Sequence, residues 1–197
     1  NRALIRMRGK TSHQPRIIGG QWRGSKLPVP DIDGLRPTPD RVRETLFNWL
    51  AGDCPEANVL DCFAGSGALG FEALSRGAGF VTMVEKEKYA YENLQLQVDR
   101  LRAEGVQLIH GDVLEMIPNL DRKYDLIFID PPYALASMRQ QVMSALETHH
   151  RLHQGAKIYF EWPQGESSDP ALGHLTWLKQ KKAGQVNYAI AEWRVSR

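Results

Sequence analysis

From residue 58 to residue 161 the chain alternates short, continuously apolar runs with stretches of helical period, a rhythm that admits few folds. The apolar runs are Asn58–Cys62, Phe80–Glu85, Val106–His110, Tyr124–Asp130 and Ala156–Glu161. Between them lie Leu69–Ser75, the long amphipathic Lys88–Ala103, Val113–Ile117 and Ser137–Leu152. Strands that are apolar on both sides must be covered on both sides, and parallel neighbours need crossovers of helical length, which these stretches supply. The expectation is an α/β chain with a mostly parallel, doubly covered sheet. After Glu161 the helical period stops, and Leu175–Gln180 and Val186–Val195 flank Lys181–Gln185, which predicts a closing antiparallel hairpin.

Composition bounds the class. With 197 residues, 42% hydrophobic and 24% charged, the chain can bury a core the size of one domain with a small appendage, and disordered or collagen-like classes are excluded. No apolar run approaches the ~20 residues of a membrane span, and Asn1–Gln14 has no signal-peptide core, so a cytoplasmic protein without membrane contact is expected. Cys54 and Cys62 show no ligand or disulfide spacing and read as free thiols. His149, His150 and His153 lack an acid or cysteine to complete a metal set, so no metal is expected.

The near-neutral total of +2 hides an asymmetry, because residues 1–45 hold ten Lys or Arg against four acids and the rest of the chain is net acidic. Basic clusters favour polyanions through counterion release, although a solvated basic tail has the same composition. Residues 1–14 read as a flexible basic tail. Residues 15–35 read as a basic β-hairpin turning at Gly19-Gly20 and presenting Arg16, Arg23 and Lys26, and residues 36–197 as the main domain. Thr38-Pro39 fits an N-cap followed by proline at the first helical position, opening a helix to about Ala51 that carries Arg41 and Arg43.

The first strand runs directly into Gly65-x-Gly67-x-x-Gly70, a strand-to-helix turn whose glycines let backbone approach a ligand at a helix N-terminus. Dinucleotides and nucleoside cofactors both use such a turn. Glu85, at the end of the second strand, is placed to accept ribose hydroxyls; a solvated strand-end acid is the plainer alternative. Asp112 suits an adenine amine beside Val113, or equally the N-cap of the helix that follows. Asp61 suits a ligand ammonium, or a brace for the glycine turn. After the fourth strand stands Asp130-Pro131-Pro132-Tyr133. Two prolines remove two N–H donors, so the Asp130 carboxylate and the Pro131 carbonyl can converge as acceptors, with Tyr133 stacking on a planar ring. Such a site fits the exocyclic amine of a base. Trp162, Trp177 and Trp193 read as packing, Glu161 as a structural acid, and Lys179, Lys181 and Lys182 as a soluble strand edge or an extension of an RNA surface.

The string DCFAGSGALGFEALSRGA, with Glu85, Gly111-Asp112 and DPPY, resembles the class I S-adenosylmethionine-dependent methyltransferases that modify exocyclic base amines. Arg16-Ile17-Ile18-Gly19-Gly20, Arg36-Pro37-Thr38 and Asp40–Leu50 narrow the resemblance to the RsmD-type 16S ribosomal RNA guanine-N2 methyltransferases, over about residues 16–193. The resemblance implies a Rossmann-like, seven-stranded sheet with an antiparallel last strand. It implies S-adenosylmethionine held by Arg36 and Thr38 at the methionine carboxylate, Asp61, Ala64 and Gly65 around the methionine moiety, Glu85 on the ribose, and Asp112 and Val113 at the adenine, with Gly67 also in the cofactor site. Asp130, Pro131, Pro132 and Tyr133 would form the base pocket. Arg16, Arg23, Lys26, Arg41 and Arg43 would hold RNA phosphates. The implied substrate is a guanine of 16S ribosomal RNA in an assembling or assembled small subunit, and the implied enzyme a monomer. An adenine-N6 DNA methyltransferase, an NAD-dependent oxidoreductase and a non-catalytic RNA-binding module are the alternatives; the oxidoreductase leaves DPPY unexplained, and the binding module has no turnover for Asp130→Ala to change.

Overall fold

Seven strands form one sheet: β1 (Asn58–Asp61), β2 (Phe80–Glu85), β3 (Val106–His110), β4 (Tyr124–Ile129), β5 (Leu152–Pro163), β6 (Leu175–Ala183) and β7 (Val186–Trp193), in the order β3-β2-β1-β4-β5-β7-β6. The computed structural model describes residues 14–132, 136–166 and 174–196. Strands β1 to β5 pair in parallel, and β7 lies antiparallel between β5 and β6. The chain thus forms the expected Rossmann-like sheet with its antiparallel last strand.

The continuous apolar character of the strands follows from two cores. Val59, Met83, Leu126, Phe128, Tyr159 and Ile190 face one side, where α1 (Asp40–Trp49), α2 (Ala68–Ser75) and α3 (Lys88–Leu101) contribute Leu46, Phe47, Phe71 and Leu94. Leu60, Val84, Ile127, Ile129, Ile158 and Phe160 face the other, covered by Val113 of α4 (Val113–Met116) and by Val142, Met143 and Leu146 of α5 (Ala136–Thr148). Period-2 alternation within each strand therefore delivers one residue to each core in turn.

Three boundaries differ from expectation. Helix α5 stops at Thr148, and β5 begins four residues before Ala156, at Leu152. His150 and Gly155 both adopt positive φ, at 55° and 83°, so the chain reverses after the helix and enters β5 through an irregular stretch that helical periodicity overruns. The closing hairpin turns at Gly184-Gln185, so Lys181 and Lys182 belong to β6. Thr38 is not the N-cap. Pro39 holds that position, and Thr38 is buried with its carbonyl accepting from Arg43 Nε at 3.1 Å.

The basic N-terminal segment folds back on itself without forming a ladder. A single antiparallel bridge joins Arg16 to Lys26, supported by Ile17 N–H to Ser25 O at 2.9 Å and Gly24 N–H to Ile17 O at 2.8 Å. The turn lies at Gln21–Gly24 rather than at Gly19-Gly20, because those glycines are pressed against α2. Ile17 and Leu27 are buried in the first core. Gly20 has φ 78°, and a Cβ there would fall 1.8 Å from the Ser75 carbonyl oxygen. Gly20→Ala is expected to lower unfolding free energy by about 2–3 kcal/mol, from left-handed strain plus a backbone clash that no rotamer relieves, measurable by urea titration.

Candidate active site

The strand order reverses between β1 and β4, and in open α/β sheets the crevice at that point, beyond the carboxyl ends of the strands, is where ligands bind. Asp61 ends β1, Glu85 ends β2, Asp130 follows β4 and Glu161 lies near the end of β5, so parallel pairing brings four acids to this one edge.

The glycine turn is built around two of them. Gly65 and Gly67 have φ of 57° and 83°, and Gly67 forms the left-handed N-cap of α2. Gly65 N–H donates to Glu85 Oε2 at 2.8 Å, and Glu87 N–H donates to Oε1 at 3.0 Å. Each carboxylate oxygen has a second lone pair for a hydroxyl. Burial raises the Glu85 pKa, with the two backbone donors opposing. Asp61 is 2% exposed, and its Oδ2 accepts from Gly70 N–H at 3.2 Å. Burial first, then the nearby Glu85 charge, pushes its pKa up to about 7. The brace that sequence offers for Asp61 is therefore present, and so is a buried carboxylate that lacks a cationic partner among the described residues and gains by meeting an ammonium.

Asp112 is the N-cap of α4, with Oδ1 accepting from Leu114 N–H at 2.9 Å and Oδ2 lying 3.6 Å from Lys86 Nζ. Val113 is buried beside it, and Ala64 is anchored by its N–H to Val84 O at 3.0 Å. Thr38 and the exposed Arg36 belong to a strap that crosses the glycine turn: a Cβ on Gly65 would lie 2.8 Å from Leu35 Cδ1. Leu35 itself carries no mark in the local sequence, and Arg36 follows it in the chain.

Asp130 is half-buried, Pro131 buried and Pro132 exposed; Tyr133 lies outside the described residues. Burial, then the charge and hydrogen bond of Glu161, hold the Asp130 pKa well above the carboxylate range, opposed by Arg139.

Among the residues assigned to RNA, Arg16, Arg23, Lys26 and Arg41 are exposed. Arg43 is a correction. Its guanidinium is fully buried, pairing with Glu72 at 3.3 Å and with Asp40, and donating to Arg16 O at 2.8 Å and Thr38 O. It has no surface to offer a phosphate. Glu72, also fully buried, accepts further from Ile18 N–H, Gly19 N–H and Arg76 Nε, so one carboxylate clamps the N-terminal segment to α2. The only sequence signal for Glu72 is an acid in the otherwise apolar Ala68–Ser75 helix.

The family model described as conserved hypothetical protein 95 matches residues 15–192. Ribosomal RNA small subunit methyltransferase D of Escherichia coli K12 is 41% identical over 179 residues, covering 91% of this chain and 90% of that protein. The protein of the same name from Haemophilus influenzae is 41% identical over 181 residues, covering 89% and 92%. A solved putative methyltransferase, yhhF from Escherichia coli, superposes with a TM-score of 0.82 at 38% identity, covering 93% of this chain and 100% of that one. With the glycine turn, the edge carboxylates and the proline motif all inside the matched span, the chain belongs to the conserved hypothetical protein 95 family, alongside the ribosomal RNA small subunit methyltransferase D proteins.

Proposed function

We propose that this protein transfers the methyl group of S-adenosylmethionine to the exocyclic N2 amine of a guanine in 16S ribosomal RNA, within an assembling or assembled small ribosomal subunit. The observation that carries the reading is the placement of Asp61 and Glu85 on one side of the β1/β4 switch point and Asp130-Pro131 on the other. One side suits a nucleoside bearing an ammonium, and the other suits a planar amine. Relatives named for methylation of small-subunit ribosomal RNA support the same substrate class.

When bound, S-adenosylmethionine supplies an electrophilic methyl on its sulfonium. Asp61 would meet its ammonium, Glu85 its ribose hydroxyls and Asp112 with Val113 its adenine, while Arg36 and Thr38 on the strap would close over its carboxylate. Asp130 and the Pro131 carbonyl accept the amine's hydrogens, which favours a pyramidal nitrogen with its lone pair turned toward the methyl. Acceleration then comes from in-line positioning and from acceptors matched to the growing positive charge.

The raised pKa of Asp61 gives a proton-linkage prediction. Its folded value of about 7 stands above the ordinary 3.8, so its contribution to stability is complete below pH 3.8 and is lost as pH rises from there through 7. An ammonium selects the carboxylate. Cofactor binding is expected to release about one proton at pH 6 and about half a proton at pH 7, read by calorimetry in buffers of different ionisation enthalpy. Asp61→Asn should abolish that release and weaken cofactor binding by about 100-fold.

We further propose that residues 15–35 are an RNA-contacting extension of a monomeric, cytoplasmic methyltransferase domain spanning 36–197, with Arg16, Arg23, Lys26 and Arg41 on phosphates. Among the described residues no helix is long and apolar enough to cross a membrane. Changing Arg23 and Lys26 together to Glu is expected to weaken binding to the RNA substrate by about 10-fold or more at 0.1 M salt and to flatten its salt dependence. Cofactor affinity should be unchanged, because both side chains are exposed on the N-terminal segment.

The deciding experiment supplies labelled S-adenosylmethionine with small subunits lacking the modification, protein-free 16S RNA and duplex DNA, followed by nucleoside analysis. N2-methylguanosine formed in the subunits is the expected product. N6-methyladenine in DNA would overturn the substrate assignment, as would no incorporation despite cofactor binding.

A further inference from the structure

Glu161 is placed by the register of the sheet beside the proposed methyl-accepting site. Ile129 of β4 pairs with Phe160 of β5, so the next residue on each strand, Asp130 and Glu161, emerge side by side at the edge. Ile129 and Phe160 both face the second core, so the side chains of Asp130 and Glu161 leave the sheet on the opposite, common face as neighbouring carboxyls. Two ionised carboxylates at such neighbouring positions repel, and a proton held by one of them removes that cost. The Tyr159 hydroxyl donates to Glu161 Oε2 at 3.0 Å, which fixes the outer side of the pair.

We propose that Asp130 and Glu161 share a single proton, and that Glu161 is a positioning residue that holds this proton when an amine reaches Asp130. The proposal rests on the amine-methylation reading of the site. In the free protein one proton spares the edge from carrying two adjacent negative charges. When the amine arrives, the proton resides on Glu161, so Asp130 presents a full carboxylate to the N–H groups. During transfer the amine's lone pair forms the new N–C bond as the methyl–sulfur bond breaks and its electron pair remains on sulfur. The methylated nitrogen, now cationic, gives one proton to Asp130. The pair then holds two protons and no charge, and it returns one to solvent when the product leaves.

The surroundings are consistent with one negative charge on the pair. From β1, Asp61 adds negative charge; from β5, the Tyr159 hydroxyl donates; and from β7, Tyr188 stands opposite Glu161. Among the described residues, the one cation acting on Asp130 is Arg139 of α5, whose Nη1 donates to the Glu161 carbonyl at 3.3 Å, while its Nη2 lies 3.6 Å from the carboxylate of Glu166. One arginine already paired with Glu166 cannot balance Asp130 and Glu161 both ionised. Burial raises the pKa of both acids, and the charge and hydrogen bond of Glu161 raise that of Asp130 further.

The test is a carboxyl NMR titration of the free wild-type protein and of Glu161→Gln, which keeps an amide to donate to Asp130 and an oxygen to accept from Tyr159. In wild type, one of the two carboxyls should remain protonated at pH 7. In Glu161→Gln, the Asp130 titration should move down from its wild-type position, because the like charge is gone while the burial remains. In methyl transfer to small subunits, Glu161→Gln should stay within about fivefold of wild type, whereas Glu161→Ala should lose about 50-fold in kcat with an unchanged KM for S-adenosylmethionine. A purely structural Glu161 would leave the Asp130 titration where it was. Ordinary, independent titration of both carboxyls in wild type, or an Asp130 titration unmoved by Glu161→Gln, overturns the pair. Because the titration is read on the free protein, it judges the pair whichever base proves to be methylated.

Discussion

Asp130→Ala is expected to reduce methyl transfer by about 10³-fold, while S-adenosylmethionine binds within about threefold of wild type. The size follows from what the side chain supplies. It follows β4, across the switch point from the glycine turn, and the two residues after it are prolines without N–H donors, which leaves its carboxyl and the Pro131 carbonyl available as acceptors. Its removal takes away the acceptor that shapes the amine and the group that receives its proton, whereas Asp61 and Glu85 keep their backbone partners at Gly70 and Gly65. Asp130→Asn retains a carbonyl acceptor without a proton sink, and it should recover about tenfold of the loss. Single-turnover rates together with equilibrium binding separate these terms. A drop in cofactor affinity equal to the drop in rate would place Asp130 in cofactor binding and not in the chemistry.

The parallel sheet and its ligand edge were legible because their signals are local: strands covered on both faces are apolar throughout, and a glycine turn must follow the strand that carries the ligand. Glu85 and Asp130 could be located by counting from those strands. Arg43 could not. Charge counting groups it with the other arginines of the basic segment, and only the packing of α1 against α2 shows that its guanidinium meets Glu72, 29 positions away. Asp61 and Asp112 each carried two sequence readings, ligand contact and local brace, and the structure shows the brace in both cases without displacing the other use, because a carboxylate has acceptors to spare. The entry to β5 was lost for a different reason. His150, two residues past the end of α5, turns the chain at φ 55° without a glycine or proline to mark the stop, so helical period ran on into Leu152. The Asp130–Glu161 adjacency depends on the β4–β5 register, which is set by that same irregular entry and lies beyond what either strand's own pattern contains.

Arg43→Met is expected to destabilise the protein by about 3–5 kcal/mol, the largest effect on folding of any single change considered, because it leaves a buried carboxylate with part of its compensation removed. Burial is the leading influence on Arg43 and lowers its pKa, with Asp40 and Glu72 opposing; the pair persists because two backbone carbonyls also accept from the guanidinium. Glu72 would keep Arg76 and the Ile18 and Gly19 N–H groups, yet lose its one fully buried cation. For a chain of this length the loss corresponds to a fall in Tm of roughly 10 °C, taking 2–4 °C per kcal/mol. The damage should be directional. Arg43 ties the Arg16 carbonyl to α1, and Glu72 ties Ile18 and Gly19 to α2, so the segment from Gln14 to Lys26 should loosen before the sheet does. Limited trypsin digestion under native conditions should then cut Arg43→Met at Arg23 several-fold faster than wild type, with cofactor affinity little changed. Conversely, Arg43→Met with normal stability and a selective loss of RNA binding would return this arginine to the phosphate-contacting set from which its burial removes it.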